Sequence, residues 1–412
     1  MASVVIAGGG QAGFQVAASL RQAGFDGAVT IVSEEARLAY QRPPLSKTYI
    51  KTDAAFDSLL LRPESFYEKN EIQFRGGERV TAIDRAAATV TLSTGEALAY
   101  DHLVLATGAA NRSLPVAGAD LPGVYQLRSA EDAEALRAGV HAASRIAIVG
   151  GGFIGLEVAA AVRTLGKDVV LVEAADRLMG RAVSRQVSAF FLDRHREMGT
   201  DVRLSTPLQA ITGTKRAGGV TVAGGETIPA DIVLIAAGVK PNDQLARAAG
   251  LATDNGILVD GFMTTADPKI FAIGDCAAFD SPFADARVRL ESVQNAVDQA
   301  KLVAARIMGT ASEPYRSVPW FWSDQGPFKL QIVGLTAGAD HVELAKLGDE
   351  GKLIAYCFKG DRLLGIETVN RPGEHMLGRR ILGQDLKVAR EDVAHHAFDL
   401  KAHVARLAEA AQ

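Results

Sequence analysis

Two glycine-rich fingerprints of one design constrain this chain more than any other feature. Gly8, Gly10 and Gly13 form G-x-G-x-x-G within SVVIAGGGQAGFQVAASLRQAG, and 142 positions after Gly8 the pattern returns as Gly150, Gly152 and Gly155 in RIAIVGGGFIGLEVAAAVRTLG. In both, a β-branched run precedes the glycines and apolar residues at helical spacing follow, which predicts strand, tight turn and helix. Glycines at these positions let backbone approach a pyrophosphate, and the helix N-terminus supplies N–H groups to it. One such match is weak, because a glycine-rich turn can equally bind nothing. A second in the same context makes coincidence a poor explanation.

Each unit runs on into another strand, GAVTIVSEE in the first and DVVLVEAAD in the second. Glu173 closes the latter about 20 residues after its fingerprint, where an acid accepts from the hydroxyls of an adenosine ribose. A 2′-phosphate would meet its charge, so NADH is favoured over NADPH. Glu34 and Glu35 stand at the comparable strand end of the first unit, and Glu34 is preferred. Any one of these acids alone would read better as a solvated loop carboxylate. After an intervening β-rich stretch, each unit has a matched closing strand, YDHLVLATGAA and ADIVLIAAGVKPN. TTADPKIFAIGDCAAF supplies a further strand ending at Gly274-Asp275, and SVQNAVDQAKLVAARIMG a long amphipathic helix stopped by Gly309. Beyond Pro319 the strands FKLQIVGL, KLIAYCF and RLLGIETVN, then helical patterns around HMLGRRIL and LKAHVARLAEAA, predict an antiparallel α+β domain.

A length of 412 residues predicts two or three domains. Lys and Arg total 44 against 48 Asp and Glu, which gives no bulk electrostatic case for nucleic acid. No apolar run nears the roughly 20 residues of a membrane-spanning helix, and no export signal is legible, so the expectation is a cytoplasmic protein without membrane insertion. Cys276 and Cys357 are the only cysteines, too far apart in sequence for a C-x-x-C redox pair. The histidines, His395, His396 and His403 among them, show no metal-ligand spacing, so no metal is expected.

The strings YQRPPLSK, LVLATG, IAIVGGGFIGLE, IFAIGDCA, LESVQNAVDQA and PWFWSDQ resemble the flavoprotein ferredoxin reductases that serve bacterial oxygenases, across essentially the whole chain. The resemblance implies an α/β fold of two Rossmann-like dinucleotide-binding domains, glutathione-reductase-like, plus a C-terminal antiparallel α+β domain. Residues 1–109 and 241–318 would form the FAD-binding domain, 110–240 the NADH-binding domain and 319–412 the C-terminal domain. By position, Ala12, Glu34, Lys47, Val80, Arg128, Asp275 and Val293 match the family's contacts to non-covalent FAD, while Gly155, Glu157, Glu173 and Arg181 match its nicotinamide-nucleotide side. Lys47 is implied as an electrostatic partner of the flavin, Trp322 as its neighbour and Glu157 as facing the nicotinamide. Glu157 reads equally well as a first-turn acid complementing its helix dipole. Gly326-Pro327 departs from the commonest family pattern and predicts a reshaped loop beside the flavin.

The implied activity is NADH:ferredoxin oxidoreduction, with hydride passing to FAD and single electrons to a transiently bound 2Fe-2S ferredoxin that feeds a haem-thiolate monooxygenase or ring-hydroxylating dioxygenase. A monomer or weak dimer is expected. A thiol mechanism on the same fold would need a redox cysteine near the flavin, and LAYQRPPLSKT has none. Reduction of rubredoxin or a quinone, and an NADH-sensing role like that of apoptosis-inducing factor, are the alternative readings.

Overall fold

The computed structural model describes residues 2–345, 350–395 and 398–410, leaving His396 outside the described residues. The chain divides into two compact units: residues 1–41, 55–110 and 239–317 form one, and residues 42–54, 111–238 and 318–412 the other.

In the first unit the apolar runs become a parallel five-stranded sheet, ordered Ile270–Ala272, His102–Leu105, Ser3–Ala7, Ala28–Ser33 and Ile72–Gly76. Nearly every residue of these central strands is buried, as expected where both faces of a parallel sheet are covered. The fingerprint helix Gln11–Gln22 packs against the helix Val293–Ile307 through a shared core that includes Ala12, Val16, Leu20, Ala296, Ala300 and Val303. The β-rich stretch after the third strand is a small antiparallel meander, Val80–Asp84, Thr89–Leu92 and Ala97–Ala99.

The second unit repeats this plan. Its parallel sheet runs Thr200–Arg203, Asp168–Val172, Arg145–Val149, Ile232–Ile235 and Val124–Tyr125, with its own meander between Leu208 and Pro229. The closing strands are matched as the sequence predicts: His102–Leu105 lies beside the first fingerprint strand and Ile232–Ile235 beside the second.

The C-terminal part of this unit is an antiparallel sheet of five strands, Trp320–Gln325, Phe328–Gly334, Arg362–Val369, Leu353–Lys359 and His341–Leu344, packed by the helices Pro372–Gly383 and Leu400–Ala410. Gly326-Pro327, the departure noted above, is the two-residue turn between the first two of these strands. Gly326 has φ +65° and lies against Met198, where a Cβ would come within 2.9 Å of the sulfur.

Candidate dinucleotide and electron-transfer site

The first and third glycines of each fingerprint are explained by packing. A Cβ on Gly8 would stand 2.1 Å from the Ala106 carbonyl oxygen and one on Gly13 1.9 Å from that of Gly8. Gly150 and Gly155 meet the carbonyl oxygens of Ala236 and Gly150 at 2.4 and 2.2 Å. The middle glycines have no such reason: Cβ atoms on Gly10 and Gly152 would meet nothing within 4 Å, and both have φ of −82°, which any residue adopts. An approaching ligand is what an absent side chain there admits.

Helix capping agrees. Ser129, Ser184 and Ser292 cap the helices Ala130–Ala142, Arg185–Glu197 and Val293–Ile307 with their hydroxyls. The fingerprint helices Gln11–Gln22 and Phe153–Arg163 have glycine N-caps, no side-chain cap and no first-turn acid. Their leading N–H groups and positive dipole ends therefore suit phosphate. The residues present fit two dinucleotides.

Around the first cradle, the turn carrying Asp275 is drawn against both helices: a Cβ on Gly274 would lie 3.3 Å from the Ala12 side chain and 3.8 Å from that of Ala296. The Gly274 N–H donates to the buried Gln299 side chain at 2.7 Å, fixing the turn. Ala12, Asp275 and Val293, the last at the first turn of its helix, are thus gathered in one region. Glu34 is largely exposed and pairs with Arg79 at 3.5 Å, next to the buried Val80. Glu35 instead accepts from the Tyr40 hydroxyl at 2.5 Å.

At the second cradle the Glu173 carboxylate faces the glycine turn, accepting from Gly151 N–H at 2.5 Å and Ala175 N–H at 2.8 Å. Arg181 is exposed, with its guanidinium 3.3 Å from where a Gly238 Cβ would be.

Glu157 corrects one sequence reading. It is the fifth residue of its helix, beyond the first turn, and only 5% exposed, so it does not serve as a dipole-complementing end acid. Its Oε2 accepts from Lys47 Nζ at 2.7 Å and Ser46 Oγ at 2.5 Å, and its Oε1 from Ser323 Oγ at 2.7 Å. Gln325 donates to Ser323 at 3.2 Å and faces His195 Nε2 at 2.9 Å. Burial lowers the His195 pKa, so the ring is neutral and donates through Nε2 to the Gln325 oxygen. A chain of hydrogen bonds thus runs from His195 to an ion pair.

Ser46, Ser323, Gln325 and His195 escaped the sequence reading. The signal for two of them was there, since Phe321, Ser323 and Gln325 alternate along one strand. Phe321 stacks 4.5 Å from Phe153 on the fingerprint helix, which confirms the face. That alternation turns Trp320 and Trp322 to the other face, with ring centroids 5.6 Å apart. Trp322 is therefore not brought to the Lys47–Glu157 pair. Arg128 belongs to the same unit; its carbonyl accepts from Arg42, and its N–H donates to Asp132 at 2.9 Å.

Both thiols are buried. Cys276 lies beneath the carbonyls of Ile273 and Leu105 at 3.2 and 3.4 Å, and burial raises its pKa. Burial and the neighbouring Glu367 raise that of Cys357.

Two glycine-turn helix ends on two parallel sheets, with an antiparallel C-terminal sheet, define a protein built to take two dinucleotides. The chain belongs to the pyridine nucleotide-disulphide oxidoreductase family, whose model matches residues 2–300, while a reductase C-terminal model matches residues 320–404. It is 50% identical to rhodocoxin reductase of Rhodococcus erythropolis over 98% of this chain and 95% of the relative. Among solved structures it is similar to the ferredoxin reductase for the CYP199A2 system from Rhodopseudomonas palustris (TM-score 0.94, 46% identity, 98% of this chain and 99% of that one). The covalent putidaredoxin reductase–putidaredoxin complex gives a TM-score of 0.95 at 39% identity, covering 99% of both chains. The cofactors of this chain are FAD and NAD(H). Among the described residues no helix is long and apolar enough to cross a membrane.

Proposed function

We propose that this chain is an NADH-dependent ferredoxin reductase that passes electrons from NADH through non-covalent FAD to a 2Fe-2S ferredoxin serving a haem-thiolate monooxygenase or a ring-hydroxylating dioxygenase. The ion pair between Lys47 and the buried Glu157 carries this reading, because it puts a fixed cation in the segment where a thiol mechanism would need a cysteine. The relatives named as reductases of rhodocoxin and putidaredoxin support an acceptor of the same kind. We further assign residues 1–109 and 241–318 to FAD, 110–240 to NADH and 319–412 to the C-terminal domain, in a cytoplasmic monomer or weak dimer.

FAD, when bound, supplies the conversion of a two-electron donor into a one-electron source. The chain's residues do the holding and the charge tuning. The Gly8–Gly13 turn and its helix end receive one pyrophosphate, with Glu34, Ala12, Val80, Arg128, Asp275 and Val293 around that cofactor. The Gly150–Gly155 turn receives the other, with Glu173 accepting from the adenosine ribose and Arg181 beside it. Lys47, held by Glu157, offers positive charge and a donor toward the isoalloxazine, while Trp322 would neighbour the flavin from the opposite face of its strand, away from that pair. No side-chain nucleophile takes part, in keeping with the buried thiols.

The test is anaerobic titration followed by an acceptor panel. The purified protein should be yellow, carry about one FAD and bleach with NADH. Reoxidation by a 2Fe-2S ferredoxin should outpace that by a rubredoxin or a quinone. A protein that cannot be reconstituted with FAD would sink the reading, and faster reoxidation by rubredoxin would reassign the acceptor.

A further inference from the structure

The segment between Glu173 and the helix Arg185–Glu197 is held at both ends and along its middle, and one of its anchors comes from the C-terminal sheet. At the near end Glu173 binds the Gly151 N–H, and the Met179 N–H donates to the Gly151 carbonyl at 2.9 Å. Along the middle the Arg177 guanidinium donates to the carbonyls of Gly180 and Val183. At the far end stands Glu367, from the strand Arg362–Val369, fully buried. Its two oxygens take the Ser184 N–H at 3.0 and 3.1 Å, the Ser184 hydroxyl at 2.6 Å and the Thr336 hydroxyl at 2.6 Å. The Thr336 hydroxyl also lies 3.4 Å from the Ala182 carbonyl oxygen.

Burying a carboxylate is costly, and packing alone would be served as well by an apolar residue. Here both oxygens are satisfied by donors from the helix N-cap and the hydroxyl beside it, so the carboxyl group fixes where Ser184 stands. Ser184 in turn ends the segment that begins at Glu173 and carries Arg181.

We propose that Glu367 is a positioning residue for NADH: through it the C-terminal sheet fixes the loop that sets Glu173 and Arg181 against the adenosine end of the coenzyme. This rests on the reading of Glu173 and Arg181 as NADH partners. It assigns the C-terminal sheet a part in donor binding as well as in packing.

The test uses the FAD-loaded full chain with ferricyanide as acceptor and NADH varied. Glu367→Ala should raise KM for NADH about tenfold, with kcat at saturating NADH within about twofold of wild type and FAD content unchanged. Glu367→Gln, which keeps the shape and an acceptor for Ser184, should restore most of the loss. If Glu367→Ala does not fold, Ser184→Ala replaces it, with an expected rise in KM of about threefold. Wild-type KM in the variants that fold, or a loss confined to kcat, overturns the inference, provided Glu173→Ala raises KM in the same assay. If Glu173→Ala leaves KM unchanged, the assignment of the NADH site itself fails.

Discussion

Glu173 closes the glycine turn through Gly151 and Ala175 and still offers lone pairs to a ribose. Hydrogen bonds to a charged partner are worth roughly 1.5–3 kcal/mol each, so Glu173→Ala should weaken NADH substantially while FAD content stays constant. The same change removes the charge that repels a 2′-phosphate, and NADPH should gain relative to NADH. The ratio of kcat/KM for the two coenzymes, measured at one ionic strength, decides this; an unmoved ratio would make Glu173 an ordinary strand-end acid. Ser323 is the other single residue with a sharp consequence, since its hydroxyl is the donor to Glu157 Oε1. Ser323→Ala leaves a buried carboxylate oxygen short of a partner, at a cost of about 1–3 kcal/mol, and frees Glu157 to reorient away from Lys47. The expected outcome is a lower urea midpoint together with slower anaerobic flavin reduction at saturating NADH. Unchanged reduction would confine Ser323 to a structural role. The cysteines carry the opposite expectation: with both thiols buried, C276S/C357S should keep most of the NADH-to-ferredoxin turnover, and its loss in a folded, FAD-bearing variant would revive thiol chemistry.

The strand Arg362–Val369 shows how one element can couple packing to titration. Burial raises the pKa of Glu367 despite the donors from Ser184 and Thr336 and the favourable charge of Arg177, while Cys357 faces it from the neighbouring strand. A carboxyl whose folded pKa lies above its unfolded value contributes stability that is present at low pH and lost as pH rises through the folded value. Glu367→Gln has no such loss, so the variant's stability relative to wild type should improve between pH 5 and pH 8 in urea titrations; a difference independent of pH would show that Glu367 does not titrate abnormally. This strand was legible in RLLGIETVN, as were both fingerprint units, their closing strands and the long helix stopped by Gly309, because each combines a strong period with a turning glycine at one end, which for this strand is Gly360. Two edge strands of the C-terminal sheet were not read. Trp320–Gln325 carries polar residues on its core-facing side, and His341–Leu344 has only four residues and no full period. The buried polar groups were hidden for a related reason. Ser46 and Ser323 meet Glu157, and His195 meets Gln325, through contacts 111 to 166 positions apart in sequence, which no local pattern records.

Across the molecule three histidines whose pKa burial lowers contribute to the response to acid, and they are unevenly divided. His102 belongs to the first compact unit, while His195 and His375 belong to the second. Burial lowers the pKa of all three, that of His375 to about 4 with Arg379 adding to the effect, and among the described residues none of their Nδ1 atoms has a hydrogen-bond partner. A histidine held neutral by the fold takes up its proton more readily in the unfolded chain, where its pKa is about 6.5. Stability therefore falls as pH drops from about 6.5, and for His375 the fall continues to about 4. The second unit should be the more acid-sensitive of the two. Both tryptophans lie within it, and Trp320 packs edge-on against His375 with ring centroids 5.7 Å apart, so tryptophan fluorescence reports on this unit alone. The urea midpoint followed by fluorescence should decline between pH 6.5 and pH 4.5 to the extent that these histidines outweigh Glu367 of the same unit, whose raised pKa acts in the opposite direction. His375→Phe keeps a ring against Trp320 but removes the proton site, and it should flatten part of that decline while leaving the midpoint at pH 7 nearly unchanged. A His375→Phe variant whose midpoint changes with pH as that of wild type does would show that acid sensitivity arises elsewhere in the fold.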